Sequence, residues 1–360
     1  MFSSFGNHIK VQIFGGSHEP EIGVTLSGLP LHTAFDLGEL QRFLDRRAPG
    51  NSPFATARKE PDQVRPEKGL RVIDNLAITT EPHITLTIAN TNVRSQDYKN
   101  LRDVPRPGHA DYTAHVKYGG KLNMAGGGPF SARMTAPLCI AGGIALQLLK
   151  KRGIEISAHI HSIADIQDAA FDPLDPLPPV DLSFPVLNPD AGKQMQQRIL
   201  AARKDGDSVG GVVEVYAKNC PAGLGGPMYD GVESVLAPIF FGIPAVKGME
   251  FGAGFSSAKM KGSENNDPFR MAGTAVVTTT NHHGGILGGI TSGMPIIARL
   301  AFKPTPSIAK EQLSVSLSKK ENQTLSITGR HDPCVAVRAV PVCEAAMAIG
   351  LLTIIMEEQA

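Results

Sequence analysis

Alternating apolar and polar positions predict β-strands in the first quarter of the chain. The segments 22–27 (IGVTLS) and 83–91 (HITLTIANT) carry apolar side chains at about every second position, which is the period of a half-buried strand, and 9–14 (IKVQIF) is a third strand candidate. Further strands are expected at 154–160 and at 209–217, where the second segment begins with a glycine pair.

Two of the four predicted helices are apolar on almost every side. The helix from Asp36 to about Arg47 begins with an aspartate three residues before a glutamate, the spacing of a capping box. Another helix is expected at about 190–204. By contrast, 135–150 (TAPLCIAGGIALQLLK) and about 341–357 have no polar face. A helix of this kind is buried between layers of a protein rather than lying on its surface.

Strands outnumber helices in this pattern, and several of them are expected to pair antiparallel. We therefore expect an α/β (α+β) fold in which buried helices lie between antiparallel sheets, rather than a doubly wound parallel sheet. Residues 1–360 are expected to form a single domain. The segment 171–189 contains six prolines, which predicts an exposed loop, and we hypothesise that this loop lies at a subunit contact.

The composition excludes several classes of protein. Of the 360 residues, 42% are hydrophobic and 19% charged, and the net charge is +1, which is typical of a globular protein without nonspecific affinity for nucleic acids or membranes. The four cysteines follow neither zinc nor disulfide spacing, so no metal is expected. The apolar stretch 345–356 is too short to span a bilayer, and the N-terminal residues lack a signal pattern. We expect a cytoplasmic protein.

Glycine-rich segments carry the candidate chemistry. Segment 14–23 (FGGSHEPEIG) presents His18 after two glycines, and 106–113 (RPGHADYT) presents His109 after a rigid Pro-Gly turn. Segment 125–137 (AGGGPFSARMTAP) leads three glycines toward an apolar helix, an arrangement that suits either a phosphate at a helix N-terminus or close packing. Taken alone, each segment also fits an ordinary turn with an incidental polar residue.

Basic residues accompany these glycines although the net charge is close to zero. They are Arg47, Arg106, Arg133, Lys303, Arg330 and Arg338. Guanidinium groups bind carboxylates and phosphates bidentately, so the set predicts a site for a small, highly anionic molecule. His18 and His109 can transfer protons near neutral pH. The adjacent His282 and His283 are expected on opposite faces of a strand, which makes them a poor metal pair.

Eight segments, in order along the chain, resemble the signatures of the chorismate synthase family. They are FGGSHEPEIG, DRRAPG, KEPDQV, RSQDY, RPGHADYT, TTNHHGGILGGITSGMP, KPTPSI and GRHDPCVAVRAVP. The resemblance implies a lyase of the shikimate pathway that converts 5-enolpyruvylshikimate 3-phosphate to chorismate by anti-1,4-elimination of phosphate. It implies a requirement for reduced FMN without net redox change. It also implies a β-α-β sandwich built by internal duplication and a homotetramer.

The resemblance further implies roles for individual residues. His109 would protonate the departing phosphate, His18 would serve the reduced flavin, and Asp332 would assist flavin N5 in taking the ring proton. Ser17 and Ser131 would support them by hydrogen bonds. The implied substrate contacts are Arg47, Arg106, Arg133 and Arg338. The implied flavin contacts are Pro129, Phe130, Ser131, Pro244, Ala245, Gly288, Lys303, Pro304, Thr305, Pro306, Ser307 and Arg330.

Some positions depart from the family pattern. Pro129 and Phe130 stand where the family commonly has Arg-Ser, which removes a donor side chain and a backbone N–H near the expected flavin. Met134 replaces a usual acidic residue. Pro53 stands where an arginine is frequent, which bears on NADPH binding. We therefore expect an external flavin reductase, with NADPH acting as an indirect reductant.

Two other functions stay open at this level. A flavin- or phosphometabolite-binding protein could have kept the fold and lost turnover, although His18, His109 and Asp332 are all present. A flavin oxidoreductase with hydride transfer is the other alternative, and the missing dinucleotide fingerprint disfavours it.

Overall fold

The computed structural model describes residues 2–48, 50, 54, 56, 60–91, 103–173, 180–327 and 331–358 of the chain. The α-helices in this part are α1 Leu37–Arg47, α2 Asp111–Tyr118, α3 Thr135–Lys150, α4 Pro189–Lys204, α5 Val232–Phe241, α6 Gly262–Asn265 and α7 Ala336–Glu357. The strands of the first half are β1 Phe2–Phe5, β2 Lys10–Gly15, β3 Glu21–Ser27, β4 Ala34–Asp36, β5 Val64–Lys68, β6 Leu70–Ile73, β7 Leu76–Thr79 and β8 His83–Ala89. Those of the second half are β9 Glu155–Ile163, β10 Ile166–Gln167, β11 Gly211–Lys218, β12 Val246–Phe251, β13 Phe269–Ala272, β14 Ala275–Thr278, β15 Ile286–Leu287, β16 Ile290–Thr291, β17 Ile296–Phe302, β18 Gln312–Ser316 and β19 Glu321–Leu325.

Two five-stranded antiparallel sheets dominate the fold. The first has the strand order β1-β2-β3-β8-β5 and the second the order β10-β9-β11-β17-β12. Val24 lies opposite Leu86 in the first sheet, and Val215 lies opposite Ala298 in the second. All four side chains are fully buried, so each sheet turns one apolar face to the core. The mixture of helices and strands and the antiparallel pairing of the strands confirm the coarse fold class expected from the sequence.

The two apolar helices pack against each other and against the sheets. Helix α3 contacts β2, β3 and β8, whereas α7 contacts β9 and β11. At their crossing, a Cβ on Gly142 would lie 2.2 Å from the Cβ of Ala345. Glycine weakens a helix interior by about 1 kcal/mol, but here its missing side chain lets the helix backbones approach closely.

Helix α1 begins as its sequence predicts. The Asp36 carboxylate accepts a hydrogen bond from the Glu39 backbone N–H at 2.5 Å, which caps the helix. The helix ends with Arg46 and Arg47, whose positive charges suit the negative end of the helix dipole. Their second role, contact with buried carboxylates, is visible only in three dimensions.

A buried ion pair joins α1 to α7. Arg46 donates to both oxygens of Glu344 at 2.7 and 2.8 Å, and Glu344 also accepts from the Ala158 backbone N–H at 3.1 Å. Glu344 is 4% exposed. Its negative charge is therefore compensated inside an otherwise apolar helix.

A second buried polar network lies in the second sheet. His159 Nδ1 lies 3.1 Å from Asp168 and its Nε2 lies 2.9 Å from Glu214. Burial alone would lower the pKa of His159, but the two hydrogen-bonded carboxylates raise it above its ordinary value. Glu214 also accepts from Arg299 at 2.7 Å. A charged His159 imidazole donates a hydrogen bond to each of the two carboxylates, which satisfies the buried polar groups of this network.

Two local predictions, the start of α7 and the placement of two adjacent histidines, need correction. Helix α7 begins at Ala336 rather than at about 341, because Pro341 is accommodated inside the helix. His282 and His283 lie in a turn rather than on a strand, and the backbone N–H of each donates to Asp267 at 2.8 Å. Both side chains therefore face the same carboxylate, at 3.5 Å each.

The proline-rich segment is not an exposed loop at its ends. Phe171 is 6% exposed and stacks on Tyr216 with ring centroids 4.0 Å apart, and Phe184 is 4% exposed. The predicted loop is therefore anchored to the core on both sides. Its residues 174–179 lie outside the described part of the chain.

Two helical stretches in the described residues are long and apolar enough to cross a membrane by composition alone. They are Ala132–Lys150 and Ala336–Glu357, and 83% and 100% of their most apolar windows are buried inside the protein. Burial of that extent is what core helices show, as expected from their lack of a polar face.

Candidate active site

A cavity of about 290 Å³ lies where several segments meet. They are the C-terminal end of α1, the residues before α2 and α3, the turn before β12, the segment after β17 and the start of α7. The predicted site residues that line it are Arg47, Arg106, His109, Phe130, Ser131, Arg133, Pro244, Ala245, Lys303, Thr305, Pro306, Ser307, Asp332 and Arg338. Residues separated by up to 291 positions in the sequence thus share one cavity.

Arg47 and Arg133 are held together by a carboxylate that sequence reasoning had not assigned. Asp62 is fully buried and accepts one hydrogen bond from each guanidinium. Arg47 also donates to Thr135 at 3.0 Å, and Arg133 donates to Asn90 at 3.0 Å. The two cations are therefore fixed side by side before any ligand binds.

The electrostatics of this group follow from its burial. Burial alone would raise the pKa of Asp62, but Arg47 and Arg133 outweigh that effect and lower it. Burial lowers the pKa of Arg133, while Asp62 opposes the change. The Nη2 atom of Arg133 is buried and has no hydrogen-bond partner among the described residues. Its capacity to donate a hydrogen bond is therefore unused within this part of the chain.

Arg338 and Asp332 form the next part of the wall. Arg338 Nη1 donates to Asp332 at 2.8 Å, and Arg338 Nε donates to the Arg47 backbone carbonyl at 3.1 Å. The other oxygen of Asp332 accepts from the Thr56 backbone N–H at 2.8 Å. Burial lowers the pKa of Arg338, with Asp332 opposing the change. Both side chains line the cavity.

Arg106 and His109 are organised by Asp111. The Asp111 carboxylate accepts from Arg106 Nε at 2.6 Å and from Arg106 Nη2 at 2.7 Å, and it lies 2.8 Å from His109 Nδ1. Burial alone would raise the pKa of Asp111, but the hydrogen bonds from Arg106 and His109 lower it strongly. Arg106 reaches across to Ser307 at 3.1 Å.

The glycine turn before α3 separates the two candidate histidines. A Cβ on Gly126 would lie 2.1 Å from His18 Cε1, and a Cβ on Gly127 would lie 3.1 Å from His109 Nε2. Both glycines have positive φ angles, of +62° and +92°, which side chains rarely adopt. Glycine is thus required here both by the backbone and by the imidazole on each side.

Behind this turn, Ser17 supports His18. The Ser17 hydroxyl donates to the Ala125 carbonyl at 3.0 Å and lies 3.2 Å from His18 Nδ1. Gly126 lies between His18 and the cavity that it lines. His18 and Ser17 therefore lie behind the residues that line the cavity.

The opposite wall fits a polar, flat cofactor. The Lys303 backbone N–H donates to the Ala245 carbonyl at 3.0 Å, which joins the two segments expected to contact a flavin. Ala245 has a positive φ of +76°, an uncommon strain in a non-glycine residue that is characteristic of functional sites. Thr305 Oγ1 is buried and has no hydrogen-bond partner in the described part of the chain. An orphaned hydroxyl and exposed backbone edges suit the polar rim of a flavin ring.

Five predicted site residues do not line the cavity, and another is not described. The first group consists of Ser17, His18, Pro129, Gly288 and Pro304. Gly288 lies in the turn between β15 and β16. Arg330 lies outside the described residues, as do Pro53 and the whole RSQDY motif at 94–98.

Asp62 and Asp111 are the carboxylates at the candidate site that the sequence analysis did not assign. Both stand inside motifs that were recognised, KEPDQV and RPGHADYT. The number of arginines expected in one site could have predicted these two carboxylates, because buried cations need carboxylate partners.

These features define an enzyme site for a small polyanion, in a fold of antiparallel sheets and buried helices. Four arginines offer donors that are fixed in advance, and two imidazoles, His109 and His331, line the cavity, with the His109 tautomer set by a carboxylate. Such an arrangement can bind phosphate and carboxylate groups and transfer a proton between the protein and its ligand.

Comparison with known proteins identifies the family. The model of the chorismate synthase family matches residues 9–356. The chorismate synthase of Lancefieldella parvula is 43% identical over 370 residues, covering 98% of this chain and 96% of the relative. That of Korarchaeum cryptofilum is 42% identical, covering 98% and 97%. The chain therefore belongs to the chorismate synthase family, lyases of the shikimate pathway.

A solved structure shares the fold. A crystal structure of a chorismate synthase superposes with a TM-score of 0.73 at 24% sequence identity, covering 98% of this chain and 93% of that chain. The similarity extends over essentially the whole described architecture.

Proposed function

We propose that the cavity converts 5-enolpyruvylshikimate 3-phosphate to chorismate and inorganic phosphate, with reduced FMN bound beside the substrate. The observation that carries the proposal is the meeting of Arg47, Arg106, Arg133 and Arg338 with His109 in one cavity. The substrate has one phosphate and two carboxylates, and this cavity offers cationic donors on several walls. In the overall reaction a C–O bond to phosphate breaks, a ring carbon loses a proton, and no electrons are gained or lost.

Substrate anions are bound by arginines that are already in position. Arg47 and Arg133 share Asp62, and Arg338 is held by Asp332. Because these guanidinium groups are fixed by buried partners, little side-chain entropy is lost when they bind a ligand. Arg133 Nη2, which has no partner among the described residues, is the donor that we assign to a substrate oxygen.

His109 is the proposed proton donor to the departing phosphate. Its Nδ1 faces Asp111, which leaves Nε2 for the ligand. When the C–O bond breaks, the proton on Nε2 passes to a phosphate oxygen, and the imidazole becomes neutral. A positioned general acid of this kind contributes about 10²- to 10⁴-fold to a rate.

The flavin is proposed to lie along Pro244, Ala245 and the segment 303–307. When bound, reduced FMN supplies electron density to the ring from which phosphate departs. Lys303 lines this wall, and its ammonium donates to the Gly108 carbonyl. Burial lowers the pKa of Lys303, as expected for a cation in a partly enclosed wall. Phe130, 38% exposed, lies at the edge where the family commonly has a polar residue.

The other proposed cofactor contacts follow the family pattern. We propose that Ser131 and Pro129 contact the flavin from the glycine turn, and that Arg330 contacts it from the segment before α7. His18 and Ser17 are proposed to serve the flavin through the gap that Gly126 leaves. Asp332 is proposed to face flavin N5, with its carboxylate held by Arg338 and the Thr56 backbone.

Internal duplication of a β-α-β sandwich is proposed from the matching connectivity of the two halves. In the first half, β2, β3, α1, β5, β8 and α3 follow one another in the chain; in the second half, β9, β11, α5, β12, β17 and α7 do so. The five-stranded sheets place these equivalent strands in the same order. We also propose a single domain, a homotetramer and a cytoplasmic location, as is general for the family.

The reductant is proposed to be external. No dinucleotide fingerprint is present in the sequence, and Pro53 replaces an arginine that is frequent in the family. We therefore propose that a separate flavin reductase supplies reduced FMN and that NADPH acts only through it.

An anaerobic assay tests the proposed function. The protein is mixed with chemically reduced FMN and 5-enolpyruvylshikimate 3-phosphate, and chorismate absorbance and released phosphate are followed together. We expect equal amounts of both, and neither when FMN stays oxidised. Asp190→Asn changes an exposed carboxylate on α4. As a control for a substitution outside the cavity, it is expected to keep full activity.

Two results would contradict the proposal. Substrate binding without product would favour a binding protein that has lost turnover. NADPH oxidation in proportion to turnover, without phosphate release, would favour a flavin oxidoreductase.

A further inference from the structure

Asp111 occupies a central position among the groups proposed to handle the phosphate. It is the first residue of α2 and is 7% exposed. Its Oδ2 accepts from the Arg106 backbone N–H at 3.0 Å and from Arg106 Nε at 2.6 Å. Its Oδ1 accepts from Arg106 Nη2 at 2.7 Å and lies 2.8 Å from His109 Nδ1. One carboxylate thus contacts both neighbours of the reacting phosphate.

The geometry determines which ring nitrogen of His109 carries the proton. A carboxylate can only accept, so the 2.8 Å contact with Asp111 places a proton on Nδ1. Arg106 Nη2 also lies 3.1 Å from Nδ1, but a guanidinium can only donate. That contact therefore results from both groups bonding the same Oδ1 atom. Nε2 is left free of Asp111, on the side of Gly127.

We propose that Asp111 is a positioning residue for the elimination: it keeps a proton on His109 Nδ1, so that Nε2 faces the phosphate and carries the proton that is transferred, and it fixes the Arg106 guanidinium beside the ring. The inference rests on the proposed function, because it assigns Nε2 to the phosphate. A carboxylate that orients an imidazole is a recurrent device in proton-transferring sites. Here the same carboxylate also aligns the cation that binds the leaving group.

Other charged groups act on His109 from several sides. Lys303 reaches the Gly108 carbonyl from the segment after β17, and His18 lies beyond Gly126. Arg133, His331, Asp332 and Arg338 also line the cavity. Unlike these groups, the Asp111 carboxylate directly contacts the His109 ring.

Asp111→Asn is the central variant. Two N–H groups of Arg106 hold the amide oxygen at the Oδ2 position, so the amide nitrogen takes the Oδ1 position and faces His109. Because that nitrogen donates, the neutral ring changes to the Nε2–H tautomer. We expect kcat to fall on the order of a hundredfold.

Two further variants separate positioning from a general structural effect. Ser307→Ala removes another hydrogen bond of Arg106, at 3.1 Å, without touching His109. At saturating FMN it is expected to raise KM while leaving the tautomer of the His109 ring unchanged. Asp111→Glu restores the carboxylate and is expected to recover at least tenfold in kcat over Asp111→Asn.

A measurement without substrate keeps this inference separate from the proposed function. In ¹⁵N-histidine-labelled protein, the His109 ring signals are identified by their loss in His109→Gln. At alkaline pH we expect the Nδ1–H tautomer in the unmodified protein and the Nε2–H tautomer in Asp111→Asn. An Nε2–H ring in the unmodified protein, or an unchanged Nδ1–H ring in Asp111→Asn, would overturn the inference. Failure of chorismate formation with the expected tautomers would instead refute only the assignment to the phosphate.

Discussion

The glycine turn beside the two histidines allows a sharp test of the site, by the substitution Gly126→Ala. An added Cβ would lie 2.1 Å from His18 Cε1 and 2.9 Å from Ser17 Oγ. Carbon atoms in contact prefer a separation of about 3.5 Å, so the ring or the turn must move by more than about 1 Å. A displacement of that size in a catalytic site costs about a hundredfold in rate. We therefore expect Gly126→Ala to lose about that factor in kcat.

The backbone cost of this substitution is separated by a matched control. Gly119, at the end of α2, has φ and ψ of +59° and +34°, close to the +62° and +16° of Gly126. A Cβ on Gly119 would meet nothing within 4 Å. Each alanine is expected to lower the free energy of unfolding by about 1–2 kcal/mol through its left-handed backbone. Only Gly126→Ala displaces His18.

The measurements are urea unfolding followed by circular dichroism and the anaerobic assay of chorismate and phosphate. Gly119→Ala is expected to keep the kcat of the unmodified protein despite its lower stability. Equal activity of the two alanine variants would refute the reasoning, because it would show that His18 is not needed where the structure places it.

Three further predictions concern the site and the core. His109→Ala should lower kcat by a factor on the order of a hundred or more with little change in substrate Kd; measured by stopped-flow turnover and calorimetry, an unchanged kcat would remove the residue from the mechanism. Glu344→Ala should lower the free energy of unfolding by about 3 kcal/mol, because it leaves Arg46 without its buried partner; a loss below about 1 kcal/mol in urea titrations would contradict this. The raised pKa of His159 means that its charged form stabilises the fold fully below about pH 6.5 and that this contribution is lost as the pH rises through the folded-state value. The stability difference between the unmodified protein and His159→Gln should therefore shrink above that pH, and a difference that grows with pH would show the wrong sign.

Local sequence patterns predicted most elements because their causes are local. The Asp36 cap, the alternating strand at 22–27 and the apolar helix at 135–150 were all confirmed, with α3 at Thr135–Lys150. Their determinants lie within one or two turns of chain, in side-chain period and capping residues. The start of α7 was wrong by five residues because packing of its apolar side chains against β9 and β11 outweighs the effect of Pro341.

The candidate site was predictable in its membership but not in its contacts. The motif resemblance named the arginines and His109 in advance, and most of them line the cavity. It did not show that Asp62 joins Arg47 to Arg133 or that Asp111 holds His109. The first pairing joins segments up to 71 positions apart that the fold brings together, and the second depends on the local turn at the start of α2, so residue type alone reveals neither.

The sequence by itself determined the class of fold, the family and the chemical character of the site. Periodicity is a local property of the chain, and the motifs keep their order whatever their spatial arrangement. Only the tertiary structure decided which carboxylate neutralises which arginine, where Gly126 separates His18 from the cavity, and which nitrogen of His109 is left for a ligand. These features depend on distances of a few ångströms. Some lie within a local turn, such as that between His109 and Asp111, and others join residues far apart in sequence that the packing of the two sheets around α3 and α7 brings together.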